Sequence, residues 1–164
     1  MKNVKLIIDF DSTFIKIETL DAIADIVFKN KPNKHLLINK ITQITSDAML
    51  GHIPFDLALS NRIKLLNAHK DHIKQTITLI KKNISTSFIQ NKKFFINNSE
   101  NCYIVSGGFK EIIFPIVKSF GVKEENVFAN TLIYDNNNYI KSIDENNFLS
   151  KDLGKVLILK NLKN

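Results

Sequence analysis

A long helical stretch set between two strand-like runs constrains this chain more than any other feature. Val4 to Phe10 is a short apolar run that turns acidic at its end, the pattern of a buried strand whose C-terminal edge carries polar chemistry. From Glu18 to about Gln90 the apolar residues fall at helical spacing instead. Leu20, Ile23, Ala24, Val27 and Phe28 share one face, and Leu57, Ile63 and Leu66, then Ile73, Ile77, Ile80 and Ile84, repeat it. Four or five helices fit that stretch. Strand character returns at Asn101 to Val105 and runs into Ser106-Gly107-Gly108, after which Phe109 to Phe120 reads as a helix closed by Gly121. Asn126 to Ile143 reads as two short strands around the turn residues Asp135-Asn136-Asn137-Asn138, and a last helix is expected from about Lys151 to Leu162. In an open α/β sheet, ligands bind at the C-terminal edge of the strands, and a helical insertion of this size commonly caps that edge.

Composition narrows the function classes. With 164 residues, 44% hydrophobic and 24% charged, the chain fits one globular domain or a small core with an inserted subdomain, and a disordered tail is excluded. A single cysteine, Cys102, excludes an internal disulfide, and it reads as a small core residue at the start of a strand. Lys2 and Lys5 precede an apolar run that meets Asp9 and Asp11 at once, so no signal peptide is read, and no apolar stretch approaches the roughly 20 residues that span a bilayer. A cytoplasmic protein without a membrane partner is the expectation. The net charge of +7 hides an imbalance, because Arg62 is the only arginine beside 22 lysines. Asn, Ile and Lys together make up 67 residues, a bias that AT-rich codons explain. The lysines are scattered and interleave with no aromatic stripe, so no nucleic-acid partner is expected.

Asp9-Phe10-Asp11-Ser12-Thr13 puts two carboxylates two residues apart where a strand ends. That spacing suits phosphoryl transfer, since one carboxylate can attack phosphorus and hold a divalent cation while the other handles the leaving group's proton. It also suits a helix N-cap. Ser106-Gly107-Gly108 offers a hydroxyl and unhindered backbone N–H groups ahead of a helix, a phosphate cradle or simply a tight turn. Lys155 supplies a cation only if the fold brings it there. Arg62 is where a planar bidentate fork would be wanted for an α-carboxylate, although any composition leaves an arginine somewhere. His69, Asp71 and His72 lie close together without a strong metal signature and read as a solvated helix face.

The order of these pieces resembles the phosphoserine phosphatase family of the haloacid dehalogenase (HAD) superfamily. Asp9 to Thr13 is similar to its first motif, Ser106-Gly107-Gly108 to its second and Lys155 to its third. Ala48-Met49-Leu50-Gly51, Phe55 and Ser60 to Leu66 resemble its cap segment. The resemblance implies a HAD-like Rossmannoid three-layer α/β core, residues 1–16 and 91–164, with an α-helical cap inserted at 17–90. It further implies Asp9 as nucleophile and Asp11 as acid and base, with Asp9 and Asp11 on a Mg2+ cofactor. Ser106, Gly107 and Lys155 would hold the phosphoryl oxygens, Glu18 would face the substrate ammonium and Arg62 its carboxylate, and Met49 and Phe55 would close an apolar lid. Hydrolysis of O-phospho-L-serine, the last step of serine biosynthesis, is the implied reaction.

The family's fourth motif, a strand ending in Gly-Asp-Gly with a further Asp, has no counterpart in the nine residues after Lys155. The reading is therefore of a truncated or split chain whose last core strand is missing. Val156, Leu157, Leu159 and Leu162 are then expected to be left exposed, with a homodimer or a complementing C-terminal fragment as alternatives for completion. Two other functions fit the residues: an inactive module that binds phosphoserine, and a phosphatase for another small phosphomonoester.

Overall fold

The computed structural model describes residues 4–163. Strand β1 (Leu6–Ile8) opens a three-stranded parallel sheet of order β1-β2-β3, with β2 spanning Cys102–Phe109 and β3 Val127–Asn130. Leu6 pairs with Cys102 and Ile8 with Ile104, and across β2 Ile104 pairs with Val127 and Phe109 with Asn130, the register shifting between Val105 and Phe109. Parallel neighbours cannot be joined by a hairpin, so each connection crosses over through helices. Between β1 and β2 lie α1 (Thr19–Val27), α2 (Lys34–Met49), α3 (Phe55–Leu66), α4 (Lys70–Lys81), α5 (Thr86–Gln90) and α6 (Lys92–Asn97). Between β2 and β3 lies α7 (Lys110–Val117), continued by a 3-10 turn to Phe120 and stopped at Gly121, whose φ of +84° favours glycine. Strands β4 (Leu132–Tyr134) and β5 (Ile140–Ile143) form an antiparallel hairpin, and α8 (Gly154–Lys163) ends the described chain.

Five helices between Glu18 and Gln90 match the expected helical stretch, and its apolar stripe is buried: Ile23, Ala24 and Phe28 in and beside α1, Ile63 and Leu66 in α3, Ile73 and Ile80 in α4. The segment 126–143 differs from expectation. It holds three strands, because Val127–Asn130 joins the parallel sheet and only the next two make the hairpin. At the hairpin turn Asn138 takes φ +62° and the Asp135 carboxylate accepts the N–H groups of Asn137 and Tyr139, both at 2.9 Å.

Aromatic packing fastens the insertion to the sheet. Phe14 lies 4.5 Å from Phe88 and 5.0 Å from Phe120, ring centre to ring centre, and Phe88 stacks on Phe95 at 5.1 Å. These rings join the segment after β1 to α5, α6 and the end of α7. The two chain segments linking the sheet to the insertion run side by side: Ile15 bridges Ile84, the Lys16 N–H donates to the Asn83 carbonyl at 2.8 Å, and the Ser85 N–H to that of Phe14 at 2.9 Å.

β1 is an edge strand among the described residues, with Leu6 and Ile7 each about a third exposed. Lys5 Nζ donates to the Leu162 carbonyl at 2.5 Å, which sets the end of α8 beside it. Val156 and Leu157 are exposed, whereas Leu159 and Leu162 are half-buried. No described helix is long and apolar enough to cross a membrane.

Candidate active site

At the C-terminal end of β1 the backbone makes a wide turn over Phe10–Phe14, closed by the Ile15 N–H donating to the Phe10 carbonyl at 3.0 Å. Phe10 and Phe14 are buried and anchor it. The residues between them face the other way. Asp9 accepts its neighbour Phe10's N–H on Oδ1 at 2.8 Å, and the same oxygen pairs with Lys155 Nζ at 2.8 Å. Lys155 belongs to the first turn of α8, 146 residues later in the chain. Gly154 makes this approach possible, because a Cβ there would sit 2.0 Å from the Phe148 carbonyl oxygen.

Asp11 is held from the start of α1. Both the backbone N–H and the hydroxyl of Thr19 donate to its Oδ1, and Thr19 is buried. Burial pushes the Asp11 carboxyl up to about 6; the Thr19 hydrogen bonds oppose that rise, and the neighbouring Glu18 and Asp9 charges add to it. The other oxygen lies against the glycine turn, since a Cβ on Gly108 would be 3.3 Å from Asp11 Oδ2. Ser106 is buried and its hydroxyl accepts the Gly108 N–H at 2.9 Å. Gly107 meets the insertion: a Cβ there would be 3.5 Å from Phe55 Cζ in α3. One corner of the molecule thus collects Asp9, Asp11, the Ser106-Gly107-Gly108 turn, Lys155 and Phe55.

Glu18 stands at the edge of that corner, exposed, with its Oε1 accepting the Ser12 hydroxyl at 2.5 Å. Ser12 reaches it from a left-handed conformation at φ +53°, uncommon for a residue with a side chain. Arg62 is buried at 8% exposure, its Nε donating to the Ala58 carbonyl and its Nη1 to Thr45 Oγ1, each at 3.3 Å. Among the described residues no carboxylate lies within ion-pairing distance of it. Burial lowers the guanidinium's pKa, and the charges of Asp21 and Glu18 act in the opposite sense. Met49, at the end of α2, is 84% exposed, and of the two expected lid residues it is Phe55 that lies against the glycine turn.

Several contributors left no trace legible in the sequence. Thr19 reads as an ordinary helix start. Asp21 faces the charge of Arg62, and burial raises its pKa above the ordinary value. Asn130, fully buried at the end of β3, donates to the carbonyls of Gly107 at 2.9 Å and Leu149 at 3.2 Å, tying the glycine turn to the segment ahead of Lys155. Its Oδ1 has no hydrogen-bond partner among the described residues.

Hard oxygen donors of the kind magnesium prefers are present in Asp9 and Asp11, but the set is short of an octahedral shell. No group of three His, Cys, Asp or Glu side chains converges among the described residues, and Oδ1 of each aspartate is already engaged. These residues alone do not fit a complete magnesium site.

A parallel sheet, an Asp-x-Asp turn after its edge strand and a helical insertion over the glycine turn define a haloacid dehalogenase-like protein. Solved structures agree. A phosphoserine phosphohydrolase-like protein from Francisella tularensis superposes with a TM-score of 0.77 at 29% identity, over 97% of this chain and 73% of that one. A phospho-aspartyl intermediate analogue of phosphoserine phosphatase superposes with a TM-score of 0.74 at 27% identity, over 98% and 71%. Within that class the curated proteins it is similar to are phosphoserine phosphatases. It is 27% identical over 155 residues to the chloroplastic phosphoserine phosphatase of Arabidopsis thaliana, covering 94% of this chain and 50% of that protein. To the phosphoserine phosphatase of Homo sapiens it is 25% identical over 155 residues, covering 94% and 65%. The chain spans about half to two thirds of the length of these curated relatives. No protein-family model matches it.

Proposed function

We propose that this chain carries the nucleophile and the substrate-recognition groups of a phosphoserine phosphatase, hydrolysing O-phospho-L-serine to serine and phosphate for serine biosynthesis in the cytoplasm. The observation that supports this best is the approach of Lys155 to Asp9 at 2.8 Å, next to the glycine turn that lies against Asp11. A cation beside the attacking carboxylate favours the charge that gathers on the phosphoryl oxygens, and the Ser106-Gly107 turn offers further donors.

In the first step an Asp9 carboxylate oxygen bonds to phosphorus, the bond from phosphorus to the serine oxygen breaks, and Asp11 gives that oxygen a proton. In the second, a water oxygen bonds to phosphorus as its proton passes to Asp11, the bond from phosphorus to the Asp9 oxygen breaks, and inorganic phosphate leaves with the Asp9 carboxylate regenerated. A carboxyl raised to about 6 holds a protonated fraction near neutrality, which the first step needs. Glu18, steadied by Ser12, faces the ammonium group, and the buried Arg62, free of protein carboxylates among the described residues, faces the substrate carboxylate. Phe55 excludes water above Gly107. Residues 17–90 act as the cap, and residues 1–16 and 91–164 as the core. Magnesium is the proposed cofactor, with Asp9 and Asp11 the donors from this chain and its remaining oxygen donors from water or further polypeptide.

The test is magnesium-dependent phosphate release from phosphoserine, with Asp9→Asn as control: release lost in the variant supports the reading, and release unchanged overturns it. The incomplete donor set favours one second reading, a module that binds phosphoserine without turnover. Calorimetry on Asp9→Asn distinguishes it, because binding without catalysis by the unmodified chain is then expected. A third possibility, another small phosphomonoester as substrate, is settled by Arg62. Arg62→Ala is expected to weaken phosphoserine binding by about 10- to 100-fold, the value of a charge-assisted pair, while leaving phosphoethanolamine within about twofold. Equal losses for both ligands would remove the carboxylate assignment.

A further inference from the structure

The start of α4 is capped by two histidines. The Nδ1 of His69, the residue before the helix, accepts the Asp71 N–H at 3.2 Å, and the Nδ1 of His72 accepts the His69 N–H at 3.0 Å. Serine, threonine or aspartate with a glutamate three residues on would do this at any pH above the acid range. An imidazole does it only while its Nδ1 is unprotonated, so both rings must be neutral with the proton on Nε2.

The same short segment clasps the insertion to the hairpin. The His69 backbone bridges Tyr139, the Lys70 N–H donates to the Asn138 carbonyl at 2.9 Å, the Ile140 N–H donates to the Ala68 carbonyl at 2.9 Å, and the His69 and Tyr139 rings meet edge to face at 5.1 Å. α3, which carries Phe55 and Arg62, ends immediately before it at Leu66. Whatever loosens the first turn of α4 therefore loosens the hold of the hairpin on the end of α3.

We propose that this two-histidine cap is a pH-sensitive clasp, closed near neutrality and opened by protonation of His72. The two rings differ in what a proton does to them. His69 has an alternative partner, because Asp71 Oδ2 lies 3.3 Å from the same Nδ1, so a charged ring can donate to the carboxylate where a neutral one accepts the amide. Lys74 holds the other oxygen of Asp71 at 2.8 Å and competes for that charge. His72 has no such carboxylate partner among the described residues. Its burial, the His69 ring and Lys31 all lower its pKa below the ordinary histidine value, and only Asp71 acts the other way. From the hairpin side the clasp is faced by the neutral Tyr139 and by Asp135, whose Oδ1 is engaged by the Asn137 and Tyr139 N–H groups. Lys70 points over the Tyr134 ring. A proton on His72 Nδ1 sets an N–H against the His69 N–H, and the bond is lost. Since the folded state favours neutral His72, the closed clasp is full above the unfolded histidine value of about 6.5 and is lost as pH falls below it.

Amide hydrogen exchange tests this at the residues concerned. Between pH 7.5 and 5 the protection factor of the His69 amide is expected to fall at least tenfold, while that of a β2 core amide such as Ile104 stays within twofold. His72→Gln keeps an acceptor at the same place without a titrating ring, and its His69 amide is expected to stay protected throughout. In the unmodified chain the His72 ring carbons report its tautomer and titration independently of that variant. A His69 amide that loses protection equally in both proteins overturns the proposal, as does a His72 that titrates above 6.5 or holds its proton on Nδ1.

Discussion

At the residue scale, the carboxyl of Asp11 stores a pH dependence. Burial raises it to about 6, so the folded chain prefers its neutral form. That preference stabilises the fold fully below the ordinary aspartate value of 3.8 and is lost as pH rises through about 6. In metal-free buffer, urea unfolding should therefore find Asp11→Asn more stable than the unmodified chain by about 1–2 kcal/mol at pH 7, with the difference gone near pH 3.5. A constant difference across that range would show that Asp11 does not titrate high. Residues also differ in how far the sequence exposes them. Arg62 stands out because every other basic residue of its kind is lysine, and Asp9 and Asp11 stand out by spacing and position. Asn130 does not, being one of 20 asparagines, and its significance lies in two carbonyls, Gly107 and Leu149, that only the folded chain places either side of it. Thr19 is hidden for the same reason: eight residues separate it from the carboxylate it grips.

At the scale of elements, Lys155 depends on the glycine before it. A methyl group at 154 would drive into the Phe148 carbonyl, which is backbone and cannot swing aside. Gly154→Ala is expected to cost about 2–3 kcal/mol in denaturant unfolding and to move α8 enough to part Lys155 from Asp9. An unchanged midpoint would mean that the turn at Phe148–Ser150 yields freely. Helices were the most legible elements, because Ile73, Ile77, Ile80 and Ile84 repeat at the helical period whatever they pack on. Strand pairing was not. Val127–Asn130 and Leu132–Tyr134 are separated by Thr131 alone, and nothing in their alternation says that the first pairs parallel with β2 while the second turns back on β5. The last helix begins three residues later than its apolar pattern suggested, since Lys151 to Leu153 are spent on the turn that seats Gly154.

Across the whole molecule, apolar surface gathers on one side. The outer edge of β1 presents Leu6 and Ile7, and α8, tied to the same edge through Lys5 and Leu162, presents Val156 and Leu157. Such surface binds hydrophobic dyes and promotes association. Replacing Val156→Glu and Leu157→Glu together should lower dye binding and light scattering while changing stability by less than about 1 kcal/mol, because neither side chain is buried. A large loss of stability would place them in the core. The paired segments at Ile15 and Ile84 carry a different consequence. Two attachments lashed together at neighbouring points behave as the two pins of one door, leaving the four helices α1–α4 between them a single axis on which to swing and denying them twist or slide. Phe55 and Arg62 would then travel along one fixed arc, and a molecule arriving at Asp9 would meet them in the same order each time the door shuts.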